Sequence, residues 1–408
     1  MNSGDIGFMI IAATYVFLMT PGLAFFYGGL SQRKNVLNTI MMSVSLMGLA
    51  SVMWVLFGYS LSFSGDIGGI IGNLKWFAFN GVSASEAGQY SSLIPNMGFA
   101  LFQMMFAIIT PALITGAVAG RMKFKAIFFF VMLWLIVVYF PMAHMVWGGG
   151  FLADIGSIDF AGGNVVHISS GISGLVLAVM LGKRKKSLKQ SMIPHNIPFV
   201  VLGASLLWFG WFGFNAGSAL AADGLALHAF LTTNTSAACA MLSWMIMDII
   251  KEGRPTVVGV CTGAVVGLVA ITPGAGFVPV WASFIIGLLV SPICYFAVSV
   301  LKVKFGYDDA LDAFGCHGIG GIWGGIATGL FAKSSINPIA QWDGLVYGEY
   351  RLFTAQIISI LVTIAVAIVG TLICAGIVRL FTKLRVEEVE ENAGLDDSQH
   401  GETAYTNL

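Results

Sequence analysis

The stretch DFAGGNVVHISSGISG, residues 159–174, sets an acid ahead of a histidine in a run that stays apolar as far as Leu181. The stretch DALDAFGCHGIGGIWG, residues 309–324, repeats it: Asp159, His167, Gly171 and Gly174 return as Asp309, His317, Gly321 and Gly324, each 150 residues later. The shared pattern is D-x7-H-x3-G-x2-G. An ionisable ring inside an apolar span is costly and faces a cavity, a pathway or a partner. Two such rings in one repeated frame point to a duplicated unit built around them.

Composition fixes the setting. Of 408 residues, 57% are hydrophobic and 10% charged, and the mean hydropathy is +0.87. Soluble domains do not reach such values, so the chain reads as an all-α polytopic membrane protein. Apolar runs long enough to cross roughly 30 Å of hydrocarbon fall at about 6–30, 36–62, 95–119, 124–147, 161–182, 197–217, 228–250, 256–272, 276–300, 312–332 and 352–378. That predicts eleven transmembrane helices. With the N-terminus outside, the inner loops and tail hold 17 of the 20 Lys and Arg residues, including Lys185, Lys186 and Lys189, and only Lys75, Lys333 and Arg351 fall outside. Cytoplasmic loops retain basic residues, so the expected orientation is N-out, C-in. The first apolar run begins at about Ile6 without a basic lead, and no cleaved signal peptide is expected.

Net charge is zero and nothing suggests nucleic acid. Cys239, Cys261, Cys294, Cys316 and Cys374 lie singly in apolar spans and read as small buried hydrophobes, without metal-ligand spacing. No cofactor is implied. Two regions stand apart from the membrane part: an outer loop near 63–94 and a polar tail, 384–408, taken as cytoplasmic. The membrane domain is then 1–383.

The two histidine stretches open spans five and ten. Spans one to five (about 6–182) and six to ten (about 197–332) therefore read as structural repeats, followed by the eleventh helix. Five is odd, so the second repeat enters from the opposite side, the inverted architecture of many transporters. Eight residues of helix rise about 12 Å, which brings both histidines near the middle of the core, where they can meet. The glycines behind them allow close helix approach. Asp159, just ahead of Gly162 and Gly163, suits an acid that organises a helix start better than a cation ligand, and Asp309 and Asp312 invite the same comparison. His144, His195, His228 and His400 lie at helix ends, in a loop or in the tail and carry less weight.

Aromatic residues add a second theme. Trp147 precedes three glycines, Phe102 and Phe106 share a helix face, and WFGWFGFNAGSA (208–219) gathers Trp208, Trp211, Phe212 and Phe214 before Ser218. Singly these are ordinary membrane aromatics. Converging with a hydroxyl, they form a cation site worth about 0.5 to 2 kcal/mol per contact.

The blocks PGLAFFYGG (21–29), AHMVWGGG (143–150), DFAGGNVVH (159–167), PHNIP (194–198), WFGFNAGSA (211–219), DAFGCHG (312–318) and GLDDSQHGETAY (394–405) resemble, in this order and nearly end to end, the ammonium transporter/Rhesus family, on its bacterial ammonium transporter side. The resemblance implies a homotrimer of eleven-span subunits in the bacterial inner membrane, each with its own pore. It implies that Phe106, Trp147 and Ser218 form an outer ammonium recruitment site, that Phe106 and Phe214 stack as a gate, and that His167 and His317 line the pore with Trp211 beside them. Asp159 would support the outer site. The acidic tail resembles the element through which relatives respond to PII-type signal proteins. One departure is Ala119-Gly120-Arg121, where relatives usually carry Ala-Glu-Arg, which puts regulation in question more than transport.

An isolated ammonium ion in hydrocarbon costs tens of kcal/mol by idealised estimates, more than aromatic contacts can offset. The expected mechanism is therefore recruitment as NH4+, deprotonation, and passage of NH3, with the proton relayed separately along two histidines that share a hydrogen bond. The alternatives are an electroneutral Rhesus-type gas channel and an ammonium sensor acting through the tail. A serine hydrolase using Ser169 or Ser170 lacks the strand-turn-helix setting that such a nucleophile needs.

Overall fold

The structure is a computed structural model and describes residues 1–184 and 193–405. Lys185, Lys186 and Lys189, counted above among the inner basic residues, lie outside the described residues. Nine helices are long and apolar enough to cross a membrane among the described residues: α1 (Ser3–Leu30), α2 (Arg33–Phe63), α3 (Asn96–Val118), α4 (Phe124–Asp154), α5 (Gly163–Leu181), α6 (Ile197–Gly217), α7 (Gly224–Glu252), α9 (Val280–Phe305) and α11 (Arg351–Arg379). Between them lie two shorter segments. Helix α8 (Val257–Ile271) has 15 residues, and α10 joins a five-residue π-helical turn, Phe314–Gly318, to the 13-residue helix Ile319–Phe331. The chain is a polytopic all-α membrane protein, and among the described residues these segments follow the order of the expected runs.

The duplication extends to backbone detail. Asp159 accepts hydrogen bonds from the N–H groups of Gly162 (2.8 Å), Gly163 (2.6 Å), Asn164 (2.8 Å) and Val165 (3.4 Å). Asp309 does the same for Ala313 (3.1 Å) and Phe314 (2.8 Å). Gly162 and its counterpart Asp312 both have positive φ, 120° and 58°. Each is followed by a π-helical turn that holds the histidine, Gly163–Ile168 and Phe314–Gly318. Helices α4 and α9, also counterparts, each carry a π turn at Leu135–Tyr139 and Ala297–Leu301. Wider turns of this kind cluster at functional sites.

Glycines bring the repeats together. α1 packs along α6, and α5 along α10, so first helix meets first and last meets last. A Cβ on Gly203 would fall 2.3 Å from the Phe26 nitrogen, and one on Gly171 would fall 2.2 Å from the Gly318 nitrogen. Backbones therefore touch where side chains elsewhere would separate them.

A two-stranded ribbon, β1 (Ala87–Gly88) with β2 (Ser91–Pro95), caps one end of the bundle near the start of α3. The tail closes the other. It forms α12 (Glu388–Ala393) and α13 (Leu395–His400) and lies against the helix ends. Asp396 accepts from the Asn38 N–H at 2.8 Å, and the Leu395 N–H donates to Asn35 Oδ1 at 2.9 Å. Lys34 Nζ donates to the carbonyls of Glu391 and Asn392 at 2.8 and 2.6 Å. As far as Tyr405 the tail is thus packed and hydrogen-bonded rather than a solvated end. Gly120 sits beside this contact with φ 71°, and a Cβ there would fall 2.8 Å from Asn35 Nδ2.

Candidate functional site

Two cavities enter the bundle from opposite ends, and a line of buried rings separates them. The larger, about 880 Å³, is lined among others by Phe102, Phe106, Trp147, Asp159, Phe160 and Ser218. The smaller, about 410 Å³, reaches Tyr27, Asp312 and His317. By the asymmetry of basic loops the first is the outer and the second the inner.

α3 supplies Phe106, which stands edge-on to Trp147 at 5.8 Å and 80°, and meets Phe214 of α6 at 4.3 Å. The latter pair is tilted by 37° rather than stacked face to face as expected. Phe106 and Phe214 are both buried. Trp147 is fixed by its indole N–H, which donates to the Asp159 carbonyl at 2.8 Å. Asp159 therefore supports the outer cavity twice, through its carboxylate at the start of α5 and through its carbonyl on the indole. Ser218 sends its hydroxyl hydrogen to the Phe214 carbonyl at 2.9 Å, which leaves the oxygen lone pairs free to accept from a donor in the cavity.

Beyond the phenyl pair the line continues. His167 lies 6.2 Å from Phe214 and 5.4 Å from Trp211, with ring planes within 23° of each. Trp211 is anchored from behind, its indole N–H donating to Thr272 Oγ1 at 2.9 Å; nothing in the sequence flagged Thr272. The His167 and His317 centroids are 5.3 Å apart with planes 21° from parallel. The two rings do meet, as the repeat requires. The expected hydrogen bond between them is not formed: both nitrogens of His167 and Nδ1 of His317 are buried without a protein partner. Such orphaned groups cost about 1–3 kcal/mol each. Two neighbouring rings with nitrogens free of protein partners offer hydrogen-bonding positions to a small polar molecule, where a structural histidine would have filled them.

The other histidines take up separate positions. His195 faces the Ser31 carbonyl and the Tyr405 hydroxyl, His228 the Val278 carbonyl, and His400 the Asn38 amide. Asp312 pairs with Lys302 at 2.6 Å. Among the described residues no group of three or more His, Cys, Asp or Glu could hold a metal ion.

A family model described as Ammonium Transporter Family matches residues 7–405. This chain belongs to the ammonium transporter family. It is 53% identical over 405 residues to an ammonium transporter of Bacillus subtilis, covering 99% of both chains. Among solved structures, Mep2 of Saccharomyces cerevisiae superposes with a TM-score of 0.89 at 37% identity, covering 95% of this chain and 91% of that one. A structure described as a sensor Amt protein is similar with a TM-score of 0.88 at 28% identity, covering 98% of each. In this family setting the chain is a membrane transporter and not an enzyme.

Proposed function

We propose that this member of the family transports ammonium by recruiting NH4+ in the outer cavity, deprotonating it and conducting NH3 past the phenyl pair to the histidines. The continuous line from Trp147 through Phe106, Phe214 and His167 to His317, with partnerless ring nitrogens at its buried end, carries this reading. Three groups can hold the ion: the ring faces of Phe106 and Trp147, worth about 0.5 to 2 kcal/mol per contact, and the Ser218 oxygen. Past Phe106 they offer nothing to a charge, and the cost of a bare ion is tens of kcal/mol in the idealised limit. A neutral NH3 escapes that cost. It accepts from one ring nitrogen and donates to another as it passes.

The released proton moves separately along the two rings and makes transport electrogenic. In this reading the rings turn to bring their nitrogens into hydrogen-bond range, and burial disfavours charging both at once. The family setting also supports three copies per assembly, a place in the bacterial inner membrane, and a PII-type partner at the face that the tail covers.

Ammonium pulses on proteoliposomes at several pH values test the reading. The expected result is a saturable transient current that disappears when His167 and His317 are both replaced by apolar residues. Ammonia flux without current in the wild type would replace it by the gas-channel reading, and unchanged current in the double variant would remove the relay.

A further inference from the structure

The block AHMVWGGG contains a residue that this mechanism does not use. His144 is wholly buried one turn before Trp147, and both of its ring nitrogens are engaged: Nδ1 with the Ser62 carbonyl at 3.0 Å and Nε2 with Asp66 Oδ1 at 2.9 Å. The two partners, a carbonyl and a carboxylate, can only accept, so the ring is the donor wherever a hydrogen lies between them. The Asp66 side chain is 52% exposed and stays hydrated. Its hydrogen bond from His144 is the largest influence holding its carboxyl below the ordinary range.

The contact ties two loops into one unit. Asp66 Oδ1 also accepts from the Gly69 N–H at 2.9 Å, and the Gly69 carbonyl accepts from the Phe151 N–H at 2.8 Å. On the helix side, the His144 carbonyl accepts from the N–H groups of Gly148 at 2.9 Å and Gly150 at 3.1 Å. The Tyr90 hydroxyl reaches the carbonyls of Phe63 (2.8 Å) and Gly148 (3.1 Å). Gly148 cannot carry a side chain here, since a Cβ would fall 2.3 Å from the Ser62 carbonyl oxygen and 2.7 Å from His144 Nδ1. Trp147 lies between the clamped histidine and this turn.

We propose that His144 and Asp66 are positioning residues for ammonium recruitment: the ring, held between Ser62 and Asp66, fixes the turn that aims Trp147 into the outer cavity. Neither residue touches the ion. The inference rests on the recruitment role given to Trp147 above, and its effect belongs to capture of the ion rather than to passage through the pore.

Asp66→Ala removes the acceptor while leaving the buried ring and the helix in place, and Asp66→Asn keeps an oxygen that can accept. The expected result is a rise of about fivefold in half-saturating external ammonium for Asp66→Ala, the size of one charge-assisted hydrogen bond at a half-exposed site. Maximal current stays within about twofold and Asp66→Asn restores most of the affinity, because only positioning is lost. Hydrogen exchange of residues 148–151 supplies a readout independent of transport, with protection lost in Asp66→Ala and kept in Asp66→Asn. Unchanged half-saturation and unchanged exchange in Asp66→Ala overturn the proposal, as does a loss of maximal current alone. Should the wild type show no saturable ammonium transport, the recruitment reading fails by itself, and the exchange data still decide whether the clamp exists.

Discussion

At the scale of single residues, Asp159 shows how a charge can be kept inside a membrane protein. Its carboxylate collects N–H groups from four consecutive residues, so it works as an unusually complete helix cap at the head of the π turn that carries His167. Asp159→Asn keeps one accepting oxygen and orphans part of this set. A loss of about 2 kcal/mol is expected, readable as a lower thermal midpoint in detergent, together with weaker ammonium uptake because the carbonyl that holds Trp147 moves with it. Asp159→Ala strands all four donors and is expected to prevent stable assembly. The capping role was legible in the sequence because an acid ahead of paired glycines has few other uses. The hold on Trp147 was not, since a backbone carbonyl has no residue identity to read. His144 was passed over for a similar reason: Asp66 and Ser62 sit about eighty residues away, and no local pattern joins them.

At the scale of helices, the glycines behind the histidines decide how closely α5 and α10 approach. A Cβ on Gly171 would fall 2.2 Å from the Gly318 nitrogen and 2.5 Å from its Cα, so the partner that must give way is backbone. On Gly321 the nearest neighbours, at 3.0 to 3.2 Å, include Ile168 Cγ1 and His167 Cβ. Gly171→Ala is therefore expected to cost about 1–3 kcal/mol, the usual range for an overpacked core, and to push the histidines apart. Gly48 and Gly376, helical glycines where a Cβ would meet nothing within 4 Å, provide the contrast: alanine there is neutral or stabilising by up to about 1 kcal/mol. Thermal midpoints and ammonium-evoked currents of the three variants, side by side, check the argument. If Gly171→Ala behaves like Gly48→Ala, close backbone contact is not what holds the repeats together. The period of apolar residues showed where the helices run and the shared spacing showed which two carry the histidines. Helix ends were legible in part: the long helical run of α4 stops at Trp147 as expected, with Gly148–Gly150 separating it from the short turn Phe151–Asp154, whereas α9 runs on to Phe305, beyond the expected 300.

At the scale of the whole molecule, the inner face is joined by charges that the sequence offered only as loop basics. Asp308 accepts from the Arg184 backbone N–H at 2.9 Å and from its Nε at 2.8 Å, with Arg121 Nη1 at 3.4 Å from the same carboxylate. Arg121 is fully buried and donates to the carbonyls of Ala117 at 2.6 Å and Gly182 at 2.7 Å. One acid thereby links the end of α3, the chain after α5 and the chain before α10, across both repeats. The same corner reaches the tail, whose Val386 N–H donates to the Arg121 carbonyl at 2.9 Å. Burial alone would raise the Asp308 carboxyl, but the hydrogen bonds from Arg184 and the charge of Arg121 outweigh it and bring it from 3.8 down to about 2. A carboxyl depressed in the folded protein adds stability that is fully present above its unfolded value and is lost as pH falls through its folded one. The linkage is thus complete at neutral pH and fades between about 3.8 and 2. Other carboxylates titrate in the same window, so the difference between wild type and Asp308→Asn isolates this one. Asp308→Asn is expected to unfold at a lower temperature at neutral pH, because it leaves the buried Arg121 guanidinium and the neighbouring Arg184 without their counter-charge, and the gap to wild type is expected to close as pH approaches 2. A gap that stays constant with pH would mean that Asp308 holds the two repeats by shape and neutral hydrogen bonds, and that its charge contributes nothing to the inner face.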